Sequence, residues 1–435
     1  MPDIVIGLIG VAILFTLVLF KTYLGVALIV SSFIGLMLLR GTGTATALLS
    51  SVSFSGTAIF AFTILPMFFL MGEVALKSKM TTDLFAGFNA WLGGVRGGLA
   101  LGVLGTSAAF ATISGSSVAV TQMMSKVSIP EMRKAGYADR FSGSVLAATG
   151  GLAVLIPPSA MLVIYALLTE KSVGKALIAG LLPGLITVVL YFTVVLVWAH
   201  FRPGDAPKRT EAVSWKQKFQ AIPKTLPIIL IGAMIIGGIY SGFVTPTESA
   251  ALGALAVILL AIVRRRMTLP EIWNAGKSAV GANAQIFLIL IGALLFAKFI
   301  AVSGLGRGLA NFVSSLDVPG VVILLVIVLV YLILGTFLEG ISVLVITVPL
   351  FAPIIEYVGF DLIWFGVIVV KLIEISLLTP PLGLNVLIVA SSVAGIKLGP
   401  IWGRVWIFIA FDLLLIGTLV LFPEIATFLP SQMKF

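Results

Sequence analysis

Runs of about 20 apolar residues recur along this chain, and a helix needs a run of that length to cross the hydrocarbon core of a bilayer. Such runs fall near 4–20, 23–39, 54–76, 141–168, 174–199, 225–243, 248–263, 278–302, 362–394 and 402–422, which predicts ten crossings. Only 10% of the 435 residues are charged and 60% are hydrophobic, whereas a globular domain carries roughly 25% charged residues. The sequence therefore reads as an all-α polytopic membrane protein, and soluble enzymes and nucleic-acid binders are excluded. The net charge of +10 does not mark a phosphate-binding face, because Lys and Arg lie in short connections between apolar runs.

There are no cysteines, so disulfides, thiolate nucleophiles and Cys-ligated metals are ruled out. The single histidine, His200, closes a span beside Phe201 and Arg202 and reads as a surface residue. No glycine-rich run is followed by Lys-Ser or Lys-Thr, so transport would have to run on an ion gradient rather than on ATP. The first 39 residues lack a basic leader and a small-residue cleavage site and read as mature membrane structure.

Two further apolar stretches, 97–125 and 321–355, are interrupted by polar, glycine-containing clusters. Cytoplasmic loops are enriched in Lys and Arg. Arg96 precedes the first stretch and Lys126, Arg133, Lys134 and Arg140 follow it, so both its ends read as cytoplasmic. Asp317 precedes the second and Glu356 and Asp361 follow it, so both its ends read as external. Two re-entrant hairpins from opposite faces satisfy this, with tips at Ser114–Ser117 and Glu339–Ser342. Segments 77–96, 126–140, 201–224, 264–277 and 397–404 are then inside, with Lys21. Arg40, Lys171, Lys175, Arg307 and Lys434 are outside, and both termini are external.

The halves look repeated. Leu155-Ile156-Pro157-Pro158-Ser159 follows the first hairpin and Leu378-Thr379-Pro380-Pro381-Leu382 follows the second. From Gly115 to Pro157 is 42 residues, and from Gly340 to Pro380 is 40. Hairpins of opposite entry make the repeats inverted, as in secondary transporters with a midplane site. Residues 1–200 form the first repeat (scaffold helices 1–76, hairpin 97–125, broken helix 141–168) and 201–224 a basic cytoplasmic linker. Residues 225–435 form the second (scaffold helices 225–302, hairpin 321–355, broken helix 362–394, final helix 402–422).

A proline removes a helical donor and frees a carbonyl one turn earlier, and a Pro-Pro pair does so twice. Carbonyls near Ala153, Ile156 and Pro158, and near Ser376, Thr379 and Leu382, could hold a small hard cation such as sodium, helped by the Thr379 hydroxyl. The tips Ser114–Ser117 and Gly335, Thr336, Glu339 and Gly340 could close each cage while half-helix N-termini face an anion. One Pro-Pro pair alone is a helix kink, and one Gly-Ser cluster alone is close packing; two matched sets favour paired sites. Glu73, Glu248, Lys298, Glu339, Lys371, Glu374 and Asp412 are charges inside apolar runs, where charge is costly. Lys371 and Glu374 read as a local ion pair. Glu339 is the candidate for direct involvement, with helix capping as its alternative.

The runs Thr112–Val118, Leu155–Ser159, Leu334–Gly340 and Glu374–Asn385 resemble the large membrane subunit of tripartite ATP-independent periplasmic (TRAP) transporters over essentially the whole chain. The resemblance implies an elevator-type, ion transporter superfamily-like permease of the bacterial inner membrane. It implies sodium-coupled uptake of an organic anion, such as a dicarboxylate or sialic acid, delivered by a periplasmic binding protein. A small four-helix membrane subunit is expected as a separate chain. By the same resemblance, one sodium site uses Ser114, Gly115, Ser116, Ala153, Ile156 and Pro158. The other uses Gly335, Thr336, Gly340, Ser376, Thr379 and Leu382. Ser116, Ser117, Ser159, Glu339 and Asn385 are the substrate-contact candidates. Several relatives have glycine at positions 153 and 376, which backbone ligation tolerates, and Asp at 339, where a role would rest on the carboxylate itself. Sodium is the only coupling ion expected, with no organic cofactor and no transition metal. A stand-alone carrier of similar architecture is the alternative, and an intramembrane enzyme using Glu339 and Glu374 a remote one.

Overall fold

The computed structural model describes residues 2–54, 56–207, 213–316 and 318–433, and every regular element among them is helical. Lys208, Arg209, Asp317 and Lys434, which entered the topology argument, lie outside the described residues. The first half comprises α1 (Asp3–Leu19), α2 (Leu24–Phe54), α3 (Ile64–Lys77), α4 (Met80–Leu92), α5 (Gly98–Ser114), α6 (Ser117–Lys134), α7 (Asp139–Leu155), α8 (Ala160–Leu168) and α9 (Val173–Phe201). The second comprises α10 (Trp215–Ser241), α11 (Pro246–Val263), α12 (Leu269–Ser303), α13 (Leu305–Ser315), α14 (Gly320–Phe337), α15 (Gly340–Val358), α16 (Leu362–Leu378), α17 (Leu384–Ser392), α18 (Leu398–Leu421) and α19 (Glu424–Ser431).

Nine helices among the described residues are long and apolar enough to cross a membrane, or ten if α7 and α8, bent by 43° at their break, count as one span. The number matches the sequence reading, but the members differ. α14 and α15, read as hairpin arms, are each of spanning length, whereas α1 stops at 17 residues and the expected span 362–394 is divided into α16 and α17, of 17 and 9 residues.

Several boundaries move for local reasons. α2 continues to Phe54 through a kink at Gly41, whose φ of 82° is open to glycine, so the stretch after residue 39 is helical rather than a loop. The inside segment 77–96 contains a 13-residue helix, α4. The linker 201–224 is shorter than expected, because Ser214 and Gln217 form a reciprocal capping box that starts α10 at Trp215. Glu248 is not a buried charge: it is exposed and closes the same kind of box with Thr245 at the start of α11. Lys298 is likewise exposed on α12.

The two proline-broken helices form the centre. Every residue from Phe141 to Leu155 in α7 is buried, as is every residue of α16 except Ile363. Helices buried all round must be covered on every side, and α5, α6, α9, α14, α15 and α18 cover them. Away from the centre, α2 and α12 approach until a Cβ on Gly292 would lie 2.7 Å from the Gly25 carbonyl oxygen. Small residues permit such approach where lipid supplies no hydrophobic drive.

On the face the sequence places inside, Asp205 ties the loop after α9 to α7. Arg140 Nη2 donates to Asp205 Oδ1 at 2.7 Å and Trp198 Nε1 to Oδ2 at 3.2 Å. Burial pushes the Asp205 carboxyl up, but these bonds and the Arg140 charge outweigh it and hold the group below its ordinary value. Arg133 binds Asp139 with two bonds, at 2.7 and 2.8 Å, and also donates to the Ala394 carbonyl at 3.1 Å. That set joins α6, α7 and the segment after α17.

Candidate functional site

Both helix breaks follow from their prolines. α7 ends at Leu155 and resumes as α8 at Ala160, with Ser159 as N-cap accepting from Leu162 N–H. α16 ends at Leu378 and resumes as α17 at Leu384. The Pro157–Pro158 and Pro380–Pro381 peptides are both cis.

The α5–α6 turn is tight because Gly115 adopts φ 61°. A Cβ there would also lie 2.7 Å from the Pro158 carbonyl oxygen, so only glycine suits both the turn and the approach. Ser114, Gly115 and Ser116 are thus placed against the first break, where Ala153 and Ile156 are buried. Ser116 caps α6 by accepting from Ala119 N–H at 3.4 Å.

The second set is arranged the same way. Gly335 on α14 faces Ser376, whose Oγ would collide with any Cβ at 335. Thr336 donates back to the Ile333 carbonyl at 2.8 Å. The Ser376 carbonyl already accepts from Thr379 N–H at 3.2 Å, and the Thr379 hydroxyl donates to the Ile375 carbonyl at 2.7 Å, which leaves the Thr379 oxygen able to accept. Leu382 is exposed. Gly340 at the second tip meets Met161 of α8 and Ile373 of α16.

These parts converge. Gly115, Ser116 and Ser117 from one tip and Glu339 and Gly340 from the other line a single cavity of about 60 Å³. Val154, Ala160 and Met161 from the first broken helix, Leu377 and Leu384 from the second and Phe69 of α3 also line it. The space admits a handful of water-sized groups. Glu339 precedes α15 as its N-cap residue, and Ser342 Oγ donates to its Oε2 at 3.5 Å, so the carboxylate lies against the first turn of α15 as well as the cavity. A larger cleft of about 460 Å³ shares Phe69, Ser116 and Val118 with the cavity. It runs between α3 and α6 past Gln122 to Glu73 and Lys126.

Of the other candidates, Ser117 and Asn385 form a pair across the two halves. Asn385 Nδ2 donates to Ser117 Oγ at 3.1 Å and to the Ala147 carbonyl at 3.3 Å, and Ser117 Oγ donates to Asn385 Oδ1 at 3.2 Å. Asn385 is fully buried, so it braces the first tip from behind. Ser159 is buried in its capping role and does not line the cavity.

The structure adds a cluster that the sequence reveals only in part. Lys371 Nζ lies 3.0 Å from Glu374 Oε1, as the local spacing predicts, and 2.7 Å from Asp412 Oδ1 on α18. The Tyr191 hydroxyl on α9 reaches Asp412 Oδ2 at 2.8 Å and Glu374 Oε1 at 3.2 Å. All four side chains are buried, and Gly151 of α7 packs on the Glu374 carboxylate. Glu339 and Glu374 therefore belong to different clusters and do not form an acid–base pair. No group of His, Cys, Asp or Glu among the described residues is arranged to hold a metal ion.

Two helix pairs whose turns meet, two broken helices and the cavity between them sit at the centre of a polytopic, all-helical membrane protein. Residues 11–425 match the family model for the tripartite ATP-independent periplasmic transporter, DctM component, and the chain belongs to that family. It is 34% identical over 370 residues to the C4-dicarboxylate TRAP transporter large permease protein DctM of Pseudomonas aeruginosa, covering 84% of this chain and 85% of that protein. It is 30% identical over 409 residues to the sialic acid TRAP transporter large permease protein SiaM of Vibrio cholerae, covering 94% of each. The fold is also similar to the crystal structure of the Alcanivorax borkumensis YdaH transporter, with TM-score 0.63 at 15% identity, over 90% of this chain and 89% of that one. The chain is thus a transporter permease and not an enzyme, and its relatives differ in what they carry.

Proposed function

We propose that this permease carries an organic anion inward through the inner membrane, driven by sodium and supplied by a periplasmic binding protein. The observation that carries the reading is the meeting of both tips and both proline breaks around one cavity. Sodium is held at two places, by Gly115 and its neighbours over Pro158 and by the Gly335–Ser376–Thr379 cluster, through backbone oxygens and the Thr379 hydroxyl. The anion is bound between the tips, which the N-termini of α6 and α15 face with the positive ends of their dipoles. The hairpins and broken helices form inverted repeats that move as one body against a scaffold that includes α2, α3, α10, α11 and α12. Both chain ends face the periplasm, a small membrane subunit joins the scaffold, and the 460 Å³ cleft is the route to the cytoplasm.

The test is uptake into proteoliposomes that contain the permease and its small subunit. The expected result is accumulation that needs an inward sodium gradient and the binding protein together. Thr379→Val keeps the shape and removes an oxygen, so it should raise the sodium concentration for half-maximal uptake with little change in expression. Uptake that persists without sodium sinks the coupling assignment. Uptake without the binding protein favours a stand-alone carrier.

A further inference from the structure

A groove of about 590 Å³ runs along the outer surface between α3 and α12, away from the central cavity. Its walls are Pro66, Met67 and Leu70 on one side and Gly276, Val280 and Ala284 on the other. A Cβ on Gly276 would meet nothing within 4 Å, and Val280 is 68% exposed, so none of the described residues fills it. At one end stand Trp273, 69% exposed, and Lys277, whose Nζ lies 5.9 Å from the Trp273 ring centre. Among the described residues no carboxylate pairs with Lys277.

Three properties select the occupant. From Trp273 to Ala284 α12 rises about 16 Å, roughly half the 30 Å hydrocarbon core, so the groove is as deep as one leaflet. Apart from Asn283, whose amide nitrogen donates to the Ala279 carbonyl at 2.7 Å, its walls above Lys277 are apolar, as an acyl chain requires. Tryptophan and lysine together mark the level of the headgroups, and a lysine without a carboxylate there attracts an anionic one. The geometry points to a binding site for one anionic phospholipid of the inner leaflet, its acyl chain between α3 and α12 and its phosphate on Lys277. The inference rests on the inside placement of segment 264–277 and is independent of sodium and substrate.

The test uses the permease complexed with its small subunit, in a mild detergent, titrated with phosphatidylglycerol or phosphatidylcholine and read by native mass spectrometry. The wild type should bind one phosphatidylglycerol more tightly than phosphatidylcholine, by roughly fivefold for one lysine near the headgroup. Lys277→Glu should abolish that preference. Gly276→Phe should remove one bound lipid of either kind, and Val280→Trp fills the same groove should the first variant misfold. Equal lipid occupancy in wild type and in a folded groove-filling variant overturns the proposal. So does loss of the small subunit from that variant with its lipid count unchanged, which would assign the groove to a protein helix.

Discussion

Gly335 and Ser376 show how finely the second hairpin is fitted to its broken helix. A methyl at 335 would strike the Ser376 hydroxyl, which is itself held by its bond to the Ile373 carbonyl at 2.6 Å. Gly335→Ala is therefore expected to cost about 1–3 kcal/mol, the usual range for overpacking. Ser376→Gly in the same chain should recover most of it, because it empties the space the methyl needs. Thermal unfolding of the two single variants and the double variant measures the coupling, and strict additivity would show that the two positions do not touch. The glycine and proline positions of this site were legible in the sequence because their chemistry is local. The partner of Ser117 and the second partner of Lys371 were not. Asn385 lies 268 residues from Ser117, and Asp412 lies on another helix from Lys371, so no spacing rule joins them.

Among elements, α16 is held to α9 and α18 by one ammonium, two carboxylates and one phenol, all out of contact with solvent. Removing one partner of a buried ion pair costs about 3–5 kcal/mol, because the other charge is left uncompensated. Lys371→Met should destabilise the protein by that order, and adding Glu374→Gln with Asp412→Asn should restore much of the loss. A Lys371→Met protein as stable as wild type would show that the cluster holds nothing together. The loop after α9 offers a pH-dependent counterpart. The Asp205 pKa is lowered in the folded state, so its stabilisation is present above the ordinary carboxylate range and is lost as pH falls through the lowered value. Asp205→Asn should cost about 1–3 kcal/mol at pH 7 and flatten the acid side of the curve of Tm against pH. Parallel curves for the two proteins would remove the pair from consideration. Element boundaries were the least legible feature. Glu248 read as a buried charge because hydropathy does not distinguish the first turn of α11 from its middle, and α4 was missed because a short helix in a basic segment has no spanning run.

For the whole molecule, the fold class and the family were readable from apolar runs and four motifs, since membrane solvation leaves few alternatives to helices. The sodium coupling proposed above would be a property of the assembled centre, with a global readout. A ligand that binds only the folded state at 100 times its Kd adds about 2.7 kcal/mol to stability. Purified permease with its small subunit should show a saturable rise in Tm with sodium that potassium and choline do not reproduce at equal ionic strength. An identical response to all three cations would oppose preformed sodium sites.

The bonds from Ser117 to Asn385 and from Arg133 to the Ala394 carbonyl also bear on how the protein is made. The ribosome delivers the first hairpin 268 residues before the amide that braces it. At 5–20 residues per second that interval is roughly 13–54 s, during which the nascent hairpin is in the membrane without its brace. An insertion chaperone would meet the chain in that window. Truncation before α17 should leave a membrane-inserted but protease-sensitive first half, and its degradation, rather than misrouting, is the expected fate of prematurely ended chains.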